Sequence, residues 1–270
     1  MSTQATQRHP WWWIPTLYFA EGLPYMAVMT ISTVMYKCLG IGNTEIAFYT
    51  AWLYLPWVIK PFWSPFVDII RSKRWWVLAM QWAIAIAMAS IAFALPASGF
   101  FQATLALFWL MAFASATHDI AADGFYMLAL TEHQQSLFVG IRSLFYRISM
   151  VVGQGVLVVV AAFVSDAWAQ PKAGWIVVFG ILAAFFALVA SYHSFALPRP
   201  AADAMRSPRS RGEVLREFTE TFVAFFRKPQ VGVALTFMLL YRLPEAQLVK
   251  MITPFMLDPT ESGGLGLTPD

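Results

Sequence analysis

The sequence predicts an all-α membrane protein: a bundle of six transmembrane helices, a polar linker and one further span. Composition is the first reason, because 59% of the 270 residues are hydrophobic and only 12% are charged. A soluble domain is about half apolar and about a quarter charged. Pattern is the second reason. The apolar runs are long and continuous, whereas the strands of a membrane barrel would alternate apolar and polar residues.

The apolar runs place seven spans, at residues 14–37, 46–67, 75–96, 102–127, 137–164, 174–196 and 231–256. Basic residues cluster after the second and the sixth span, whereas the alternate loops hold little beyond Lys37 and Lys172. Because loops rich in lysine and arginine stay in the cytoplasm, we expect a cytoplasmic N-terminus. The tryptophans at 11–13 and 75–76 would then form an aromatic belt at the cytoplasmic interface. No cleavable leader is expected, so the first span is retained.

Residues 197–230 form the longest polar segment of the sequence. Its start is rich in proline, arginine and serine, which predicts a loose linker. Later in the segment, Phe218, Phe222 and other apolar residues recur at helical spacing opposite Glu213 and Glu217. This pattern predicts an amphipathic helix on the membrane surface, with a helix packed on a soluble partner as the alternative.

A proline interruption occurs at matching places in the first and seventh spans, as Leu23-Pro24 and Leu243-Pro244. Transporters built from repeated halves carry interrupted helices in corresponding positions. The seventh span is therefore predicted to begin a second bundle, and the chain to be the N-terminal part of a longer protein. The predicted regions are a six-helix bundle at 1–196, a linker with its amphipathic helix at 197–230, and the start of the second bundle at 231–270.

The fourth span carries ionisable residues within an apolar helix. Ser115, Asp119, Asp123 and Tyr126 lie three or four residues apart and therefore share one helical face. Charged side chains inside a membrane usually face a protein interior or a watery cavity. This stripe is predicted to line a solute pathway.

The fourth and fifth spans form a hairpin, so residues at equal depth have position numbers with a constant sum. With the regular rise of a helix, Asp119 is level with Arg147, and Asp123 is level with Arg142. These levels predict two acid–base pairs facing each other in the membrane. In addition, Gly153 is expected, together with Gly155, to let the fifth helix approach a neighbour closely.

Charged residues of other spans reach the same level: Glu21, Lys60, Arg242 and Glu245. One interpretation is that these charges neutralise each other and fix helix packing. The other is that the acids carry protons while the bases hold an anionic solute, and it is favoured because apolar helices need no charges to pack. The predicted proton-coupling residues are Asp119, Glu21 and Asp123. The predicted substrate-binding residues are Arg147, Arg142, Lys60, Arg242, Glu245, Gln154 and Tyr146.

Other classes of function find little support in the sequence. His118 precedes Asp119, but neighbouring helix positions point in different directions and no second His or Cys lies at ligand spacing, so neither a metal site nor a cofactor is expected. His133 and His193 are expected at the interface rather than in catalysis, and the chain is not expected to be an enzyme. The cations lie in short loops rather than in one basic domain, which argues against a nucleic-acid partner.

Five stretches together resemble one family of membrane proteins. They are F-A-E-G-L-P from Phe19, K-P-F-W-S-P-F-V-D from Lys60, A-S-A-T-H-D-I-A-A-D from Ala114, Y-R-I-S-M-V-V-G-Q-G from Tyr146 and L-Y-R-L-P-E from Leu240. Over residues 15–269 the chain is similar to the AmpG-type muropeptide permeases of the major facilitator superfamily. The related acetyl-coenzyme A transporters share parts of the pattern.

The resemblance implies a major facilitator-type fold of two six-helix bundles, of which this chain would supply the N-terminal bundle and the first helix of a truncated second bundle. It also implies proton-driven import of an anhydromuropeptide by alternating access, as a multi-pass protein of the bacterial inner membrane. Ser64, Ile69 and Ile70 depart from the general loop motif of the superfamily. The gating loop implied by the resemblance contains Asp68, Arg71, Lys73 and Arg74.

Two alternatives remain open from the sequence. The first is a carrier for another large organic anion, such as an acyl-coenzyme A. The second is a membrane sensor or scaffold that transports nothing. The partners expected from the leading interpretation are a small anionic solute, protons and the lipid bilayer.

Overall fold

The computed structural model describes residues 8–203, 211–237, 240–241, 260–262 and 265. Within these residues the regular structure is helical and no strand occurs, which confirms the all-α class. The chain divides into two units, Met1–Pro208 and Arg209–Asp270.

In the described part of the first unit, six helices coincide with the first six predicted spans. They are α1 (Ile14–Met26, a π-helical turn Ala27–Ile31, and Ser32–Cys38), α2 (Asn43–Ala51, Trp52–Tyr54, Leu55–Val58, Lys60–Phe62 and Ser64–Ile70), α3 (Lys73–Ala94), α4 (Phe100–Ala129), α5 (Glu132–Ala167, with a π-helical turn at Val152–Val156) and α6 (Ala173–Ala196). Among the described residues, α3, α4, α5 and α6 are each long and apolar enough to cross a membrane as one uninterrupted segment.

Prolines explain why α1 and α2 are interrupted. Pro24 lies inside α1, just before its π-helical turn, and removes a backbone hydrogen bond there. In α2, Pro56, Pro61 and Pro65 each stand at the start of a short segment, where the missing N–H costs little. Each proline thus stands where one helical segment gives way to the next.

The turns at one end of the bundle are fixed by side-chain caps. The Ser72 hydroxyl accepts a hydrogen bond from the Trp75 N–H at the start of α3. At the start of α5, Thr131 and Gln134 form a reciprocal capping box, with bonds of 3.1 and 3.3 Å. These caps set where α3 and α5 begin.

Glycines permit the closest helix contacts. A Cβ atom at Gly22 of α1 would lie 2.0 Å from Ser149 Oγ of α5, and one at Gly153 would lie 2.7 Å from Met26 Cβ. The predicted close approach at Gly153 is therefore confirmed, whereas a Cβ atom at Gly155 would meet no neighbouring helix within 4 Å in the described part of the chain. Among the remaining helices, α3 packs between α4 and α6.

The second unit begins with α7 (Arg211–Phe226), which confirms that a helix forms where the amphipathic pattern predicts one. Arg216 and Glu220 form an ion pair of 3.2 Å along its surface, at the i,i+4 spacing that supports helices. Residues 231–237 are helical and open the predicted seventh span. The predicted site residues Arg242 and Glu245 lie outside the described residues.

The beginning of the linker is not loose. Leu197 and Asp203 are buried, and the short helix Ala201–Asp203 packs against α4. The prediction is wrong for this stretch because composition does not reveal the hydrogen bonds that Asp203 makes with α3.

Candidate functional site

The predicted stripe of α4 faces the neighbouring helices α1, α2 and α5. Ser115 and Tyr126 are buried, whereas the carboxylates of Asp119 and Asp123 are partly exposed. Asp119 and Asp123 are therefore neither fully buried nor fully exposed.

Asp119 forms an ion pair with Lys60 of α2, and the two side chains are 20% and 27% exposed. The predicted pairing of Asp119 with Arg147 is therefore wrong. Arg147 is exposed and makes no ion pair with any residue that the structure describes. The reason is geometrical, since position numbers fix the depth of a residue in a hairpin but not the rotation of its helix.

The second predicted pair is confirmed, because Arg142 Nη2 lies 3.1 Å from Asp123 Oδ1. The Tyr18 hydroxyl also donates a hydrogen bond of 3.1 Å to this carboxylate oxygen. The Arg142 guanidinium lies 4.8 Å from the centre of the Tyr18 ring and 5.1 Å from that of Tyr126. Two aromatic faces and one carboxylate therefore hold Arg142 in place.

Glu21 of α1 completes this group, which we call the charged cluster: Glu21, Lys60, Asp119, Asp123 and Arg142. The Glu21 side chain is buried, and its Oε2 atom has no hydrogen-bond partner among the described residues. It lies within electrostatic range of Asp123, Arg142 and Lys60. The cluster thus brings three carboxyl groups together with two cations.

The remaining predicted binding residues that the structure describes lie on α5. Tyr146 is within electrostatic range of Glu21 and Asp123, so it borders the charged cluster. Gln154 lies in the π-helical turn of α5 and makes a long contact of 3.9 Å with Met26 Sδ. The structure joins neither Gln154 nor Arg147 to the ion pairs of the cluster.

The predicted gating loop is anchored at several points. Lys73 forms an ion pair with Asp68, and its stem crosses α4 at Gly124, where a Cβ atom would lie 2.7 Å from Lys73 Cε. The guanidinium of Arg71 lies 5.7 Å from the centre of the Trp75 ring. The loop is therefore tied to α3 and α4.

Arg74 and Asp203 tie the same region to the end of α6. Asp203 accepts bonds of 2.6 and 2.9 Å from the backbone N–H groups of Lys73 and Arg74 at the start of α3. The Arg74 guanidinium donates to the backbone carbonyls of Ser194 and Leu197. The first residues of the linker are thus bonded to the gating loop.

A second polar cluster, the neutral cluster, joins α1, α3, α4 and α6 through Thr16, Gln81, His118 and His193. Gln81 Nε2 lies 3.0 Å from His118 Nε2, and the Gln81 Oε1 atom lies 3.0 Å from His193 Nδ1. Thr16 Oγ1 lies 2.9 Å from His193 Nε2. His193 is fully buried between the helices, in the last turn of α6.

Neutral imidazoles can make all three of these hydrogen bonds. Gln81 Nε2 then donates to His118, His193 Nδ1 donates to Gln81 Oε1, and the Thr16 hydroxyl donates to His193. No group of three or more His, Cys, Asp or Glu side chains suited to a metal ion occurs in the described part of the chain. The cluster is a hydrogen-bond network within the helix bundle.

Sequence reasoning missed three residues that organise these clusters. Tyr18 precedes Glu21 by three positions and therefore shares its helical face, so the spacing could have identified it. Gln81 is one of two polar residues in an apolar span, so the sequence could also have marked it as a residue with a polar partner inside the bundle. For Asp203, no sequence signal predicts the contact with α3.

Comparisons with known proteins agree with this architecture. Residues 16–266 match the family model described as the Major Facilitator Superfamily. The chain is also 26% identical over 254 residues to the anhydromuropeptide permease of Escherichia coli strain K12, covering 89% of this chain and 47% of the relative. The anhydromuropeptide permease of Escherichia coli O157:H7 matches with the same identity and coverage. The chain therefore spans about half the length of the curated relatives it matches.

Proposed function

Because the chain belongs to the Major Facilitator Superfamily, we propose that it is part of a proton-coupled secondary transporter that imports anhydromuropeptides by alternating access. The substrate class is supported by the similarity to permeases named for anhydromuropeptides. The charged cluster supports both proton coupling and an anionic solute. In this proposal the protein is a multi-pass protein of the bacterial inner membrane with a cytoplasmic N-terminus.

The observation that carries the proposal is the imbalance of charge in the cluster. Three carboxyl groups, on Glu21, Asp119 and Asp123, lie with the two cations Lys60 and Arg142. An anionic solute that entered this site would add further negative charge in a medium of low dielectric constant. Since uncompensated charge is costly there, a proton must accompany the solute.

Exchange of ion-pair partners gives the coupling a concrete mechanism. A proton that binds Asp119 removes the charge that holds Lys60, and Lys60 is then free to bind an acidic group of the solute. The reverse happens when the solute leaves, because Lys60 pairs with Asp119 again and the proton is released. Arg142 offers a second cation for the solute, and its guanidinium can bind a carboxylate through two parallel hydrogen bonds.

The surroundings of Arg142 favour binding without large rearrangement. The rings of Tyr18 and Tyr126 hold the guanidinium, while 30% of the Arg142 side chain and 46% of the Asp123 side chain remain exposed. A group that is held in place and accessible loses little conformational entropy when it binds a solute. Arg147 is exposed on α5 and is proposed to contact the solute at the rim of this site.

The proposal also assigns roles to the other regions of the chain. Residues 1–196 form the N-terminal bundle, 197–230 the cytoplasmic linker, and 231–270 the start of the second bundle. The gating loop is proposed to close the cytoplasmic side of the solute pathway, and its hydrogen bonds to Asp203 and Leu197 tie it to the start of the linker. The proposed action is transport rather than catalysis.

The test uses the full-length protein encoded by the gene, purified and reconstituted in proteoliposomes with an imposed pH gradient. Uptake of a labelled anhydromuropeptide should follow the pH gradient in the wild type and be lost in Asp119→Asn. The matched control is Asp166→Asn, which removes the same charge from an exposed position of α5. Wild-type uptake by Asp119→Asn, at equal amounts of inserted protein, would exclude Asp119 from proton coupling.

A competition assay tests the substrate class separately. Unlabelled anhydromuropeptide should reduce uptake of the labelled solute, and an acyl-coenzyme A at the same concentration should not. Stronger competition by the acyl-coenzyme A would leave proton coupling intact but replace the proposed solute.

A further inference from the structure

A basic pocket lies where α3 begins and α6 ends. Its volume is about 400 Å³, and its lining combines Arg8, Arg74 and Arg199 with residues 194–195 and 197–198. We call it the arginine pocket. It belongs neither to the charged cluster nor to the neutral cluster, and all of its lining residues lie in the first unit.

Arg74 is fixed in the wall of the pocket. Its Nη2 atom donates to the Ser194 carbonyl at 2.5 Å, and its Nε atom donates to the Leu197 carbonyl at 3.5 Å. Within the described residues, Nη1 makes no hydrogen bond. The nearby Asp203 carboxylate is engaged by two backbone N–H groups of α3, so one acid faces three arginines and the pocket remains positively charged.

The other two arginines are open to a ligand. Arg8 and Arg199 are exposed, and neither makes a hydrogen bond or an ion pair within the part of the chain that the structure describes. Arg8 is held beside the end of α6 because the Tyr192 hydroxyl donates to the Trp12 carbonyl. The fold thus keeps two like charges close to Arg74, which favours an anion between them.

Aromatic residues indicate that the pocket lies at the level of the lipid headgroups. Trp11 and Trp12 follow Arg8 in the chain, Trp75 follows Arg74, and all three tryptophans are exposed. Exposed tryptophans of membrane proteins concentrate at the membrane–water interface. In addition, Phe195 lines the pocket and is 72% exposed, so it presents an apolar wall beside the cations.

We propose that the arginine pocket binds the headgroup of an anionic phospholipid from the leaflet at this end of the bundle. The phosphodiester would bind the guanidinium groups of Arg8 and Arg199, since planar donor forks match phosphate oxygens. Phe195 would contact the glycerol backbone and the first methylene groups of the acyl chains. Basic pockets between helices at a membrane surface bind acidic headgroups in this way.

Native mass spectrometry of the full-length protein, delipidated in a non-ionic detergent, tests the proposal. Phosphatidylglycerol should bind more tightly than phosphatidylethanolamine with the same acyl chains. The double variant Arg8→Gln/Arg199→Gln should weaken phosphatidylglycerol binding by about 25-fold, or about fivefold per arginine. The control Arg227→Gln/Lys228→Gln removes the same charge without touching the pocket lining and should bind as the wild type does.

Further measurements distinguish a lipid from a free phosphate and protect the test against misfolding. Phe195→Ser keeps all three cations, so it should weaken phosphatidylglycerol binding while leaving binding of glycerol 1-phosphate unchanged. Glycerol 1-phosphate that binds as tightly as the lipid would make the pocket a phosphate site and overturn the lipid assignment. If the double variant fails to insert, wild-type binding of phosphatidylglycerol must still fall with rising salt.

Equal affinity of the wild type for the two phospholipids would overturn the proposal. So would equal loss of binding in the arginine variant and the control variant. Either result would mean that the pocket does not select an anionic headgroup through these arginines.

Discussion

His118 and Asp119 are neighbours on α4, yet they belong to two polar clusters of opposite character. His118 lies in the neutral cluster, where the side chains of Gln81, His118 and His193 are almost completely buried. Asp119 lies in the charged cluster, whose ion-paired side chains are 20% to 46% exposed. The same turn of α4 therefore contributes one residue to a buried polar network and the next residue to a partly exposed one.

The difference between the clusters lies in their balance of donors and acceptors. In the neutral cluster, Gln81 contacts both imidazoles and Thr16 contacts His193, so each of these side chains has a partner inside the network, which joins α1, α3, α4 and α6. In the charged cluster, Glu21 Oε2 has no partner among the described residues, and the acids outnumber the cations. An incomplete cluster can bind a solute and a proton, whereas a complete one mainly stabilises packing.

The largest expected effect comes from breaking the charged cluster at Lys60. Lys60→Met leaves the Asp119 carboxylate without its cation, so proton binding no longer exchanges with solute binding. We expect uptake by the full-length protein to fall about 100-fold, which corresponds to about 2.7 kcal/mol in the barrier. Uptake in proteoliposomes, normalised to the amount of inserted protein, measures this loss.

Lys172→Met is the matched control, because Lys172 lies outside the charged cluster, with its Nζ atom 4.2 Å from the centre of the Phe100 ring. Its uptake should stay within about twofold of the wild type, as for a typical cation outside a binding site. Equal uptake by the two lysine variants would remove Lys60 from the mechanism.

A charge exchange sharpens the assignment of the pair. Lys60→Asp and Asp119→Lys each place two like charges together, whereas the double variant restores an ion pair with reversed polarity. The double variant should recover about 1–3 kcal/mol of stability relative to the sum of the single variants. The free energies of unfolding of the three variants in detergent give this coupling energy directly.

The corresponding exchange between Asp119 and Arg147 should give no recovery, because the structure does not join these residues. Recovery there, with strict additivity for Lys60 and Asp119, would show that α4 or α5 is rotated from its present orientation. This outcome would restore the pairing expected from helix levels.

The two ion pairs also show what the sequence could predict. Apolar runs identified the six long helices in the described part of the first unit, since membrane spans must be long and apolar. The helical rise placed Asp123 level with Arg142, and they do meet. The same reasoning gave the wrong ion-pair partner for Asp119. Its partner depends on helix rotation and on the proline breaks of α2, where Lys60 lies. Neither feature follows from counting residues.

The neutral cluster shows a similar limit for burial. The position of His193 near the end of α6 predicts its level in the membrane but not which side chains cover it. The packing of α3 against α6 buries it beside Gln81. Contacts between helices that are far apart in sequence decide such burial, and one sequence carries no direct record of them.

Breaking the neutral cluster should affect stability rather than transport. Gln81→Leu leaves both imidazoles without their partner, and each buried group that loses its hydrogen bond costs about 1–3 kcal/mol. We expect the unfolding temperature in detergent to fall, while uptake per inserted molecule stays unchanged. Gln102→Leu, at an exposed position of α4, is the control and should keep the wild-type unfolding temperature.

The opposite result for Gln81→Leu would change the comparison between the clusters. Uptake that falls while the unfolding temperature stays constant would mean that the network takes part in the transport cycle. His118 and Asp119 would then both belong to clusters that serve transport.

The smallest effect is expected at Tyr18, whose ring and hydroxyl group make separate contacts in the charged cluster. Tyr18→Phe keeps the aromatic ring over Arg142 but removes the hydrogen bond to Asp123. Loss of one such bond costs about 1 kcal/mol, so we expect the KM for uptake to rise about fivefold. Tyr49→Phe is the control, since Tyr49 is an exposed residue of α2, and its KM should not change. An unchanged KM in Tyr18→Phe, with a raised KM in Tyr18→Leu, would assign the whole contribution of Tyr18 to its ring.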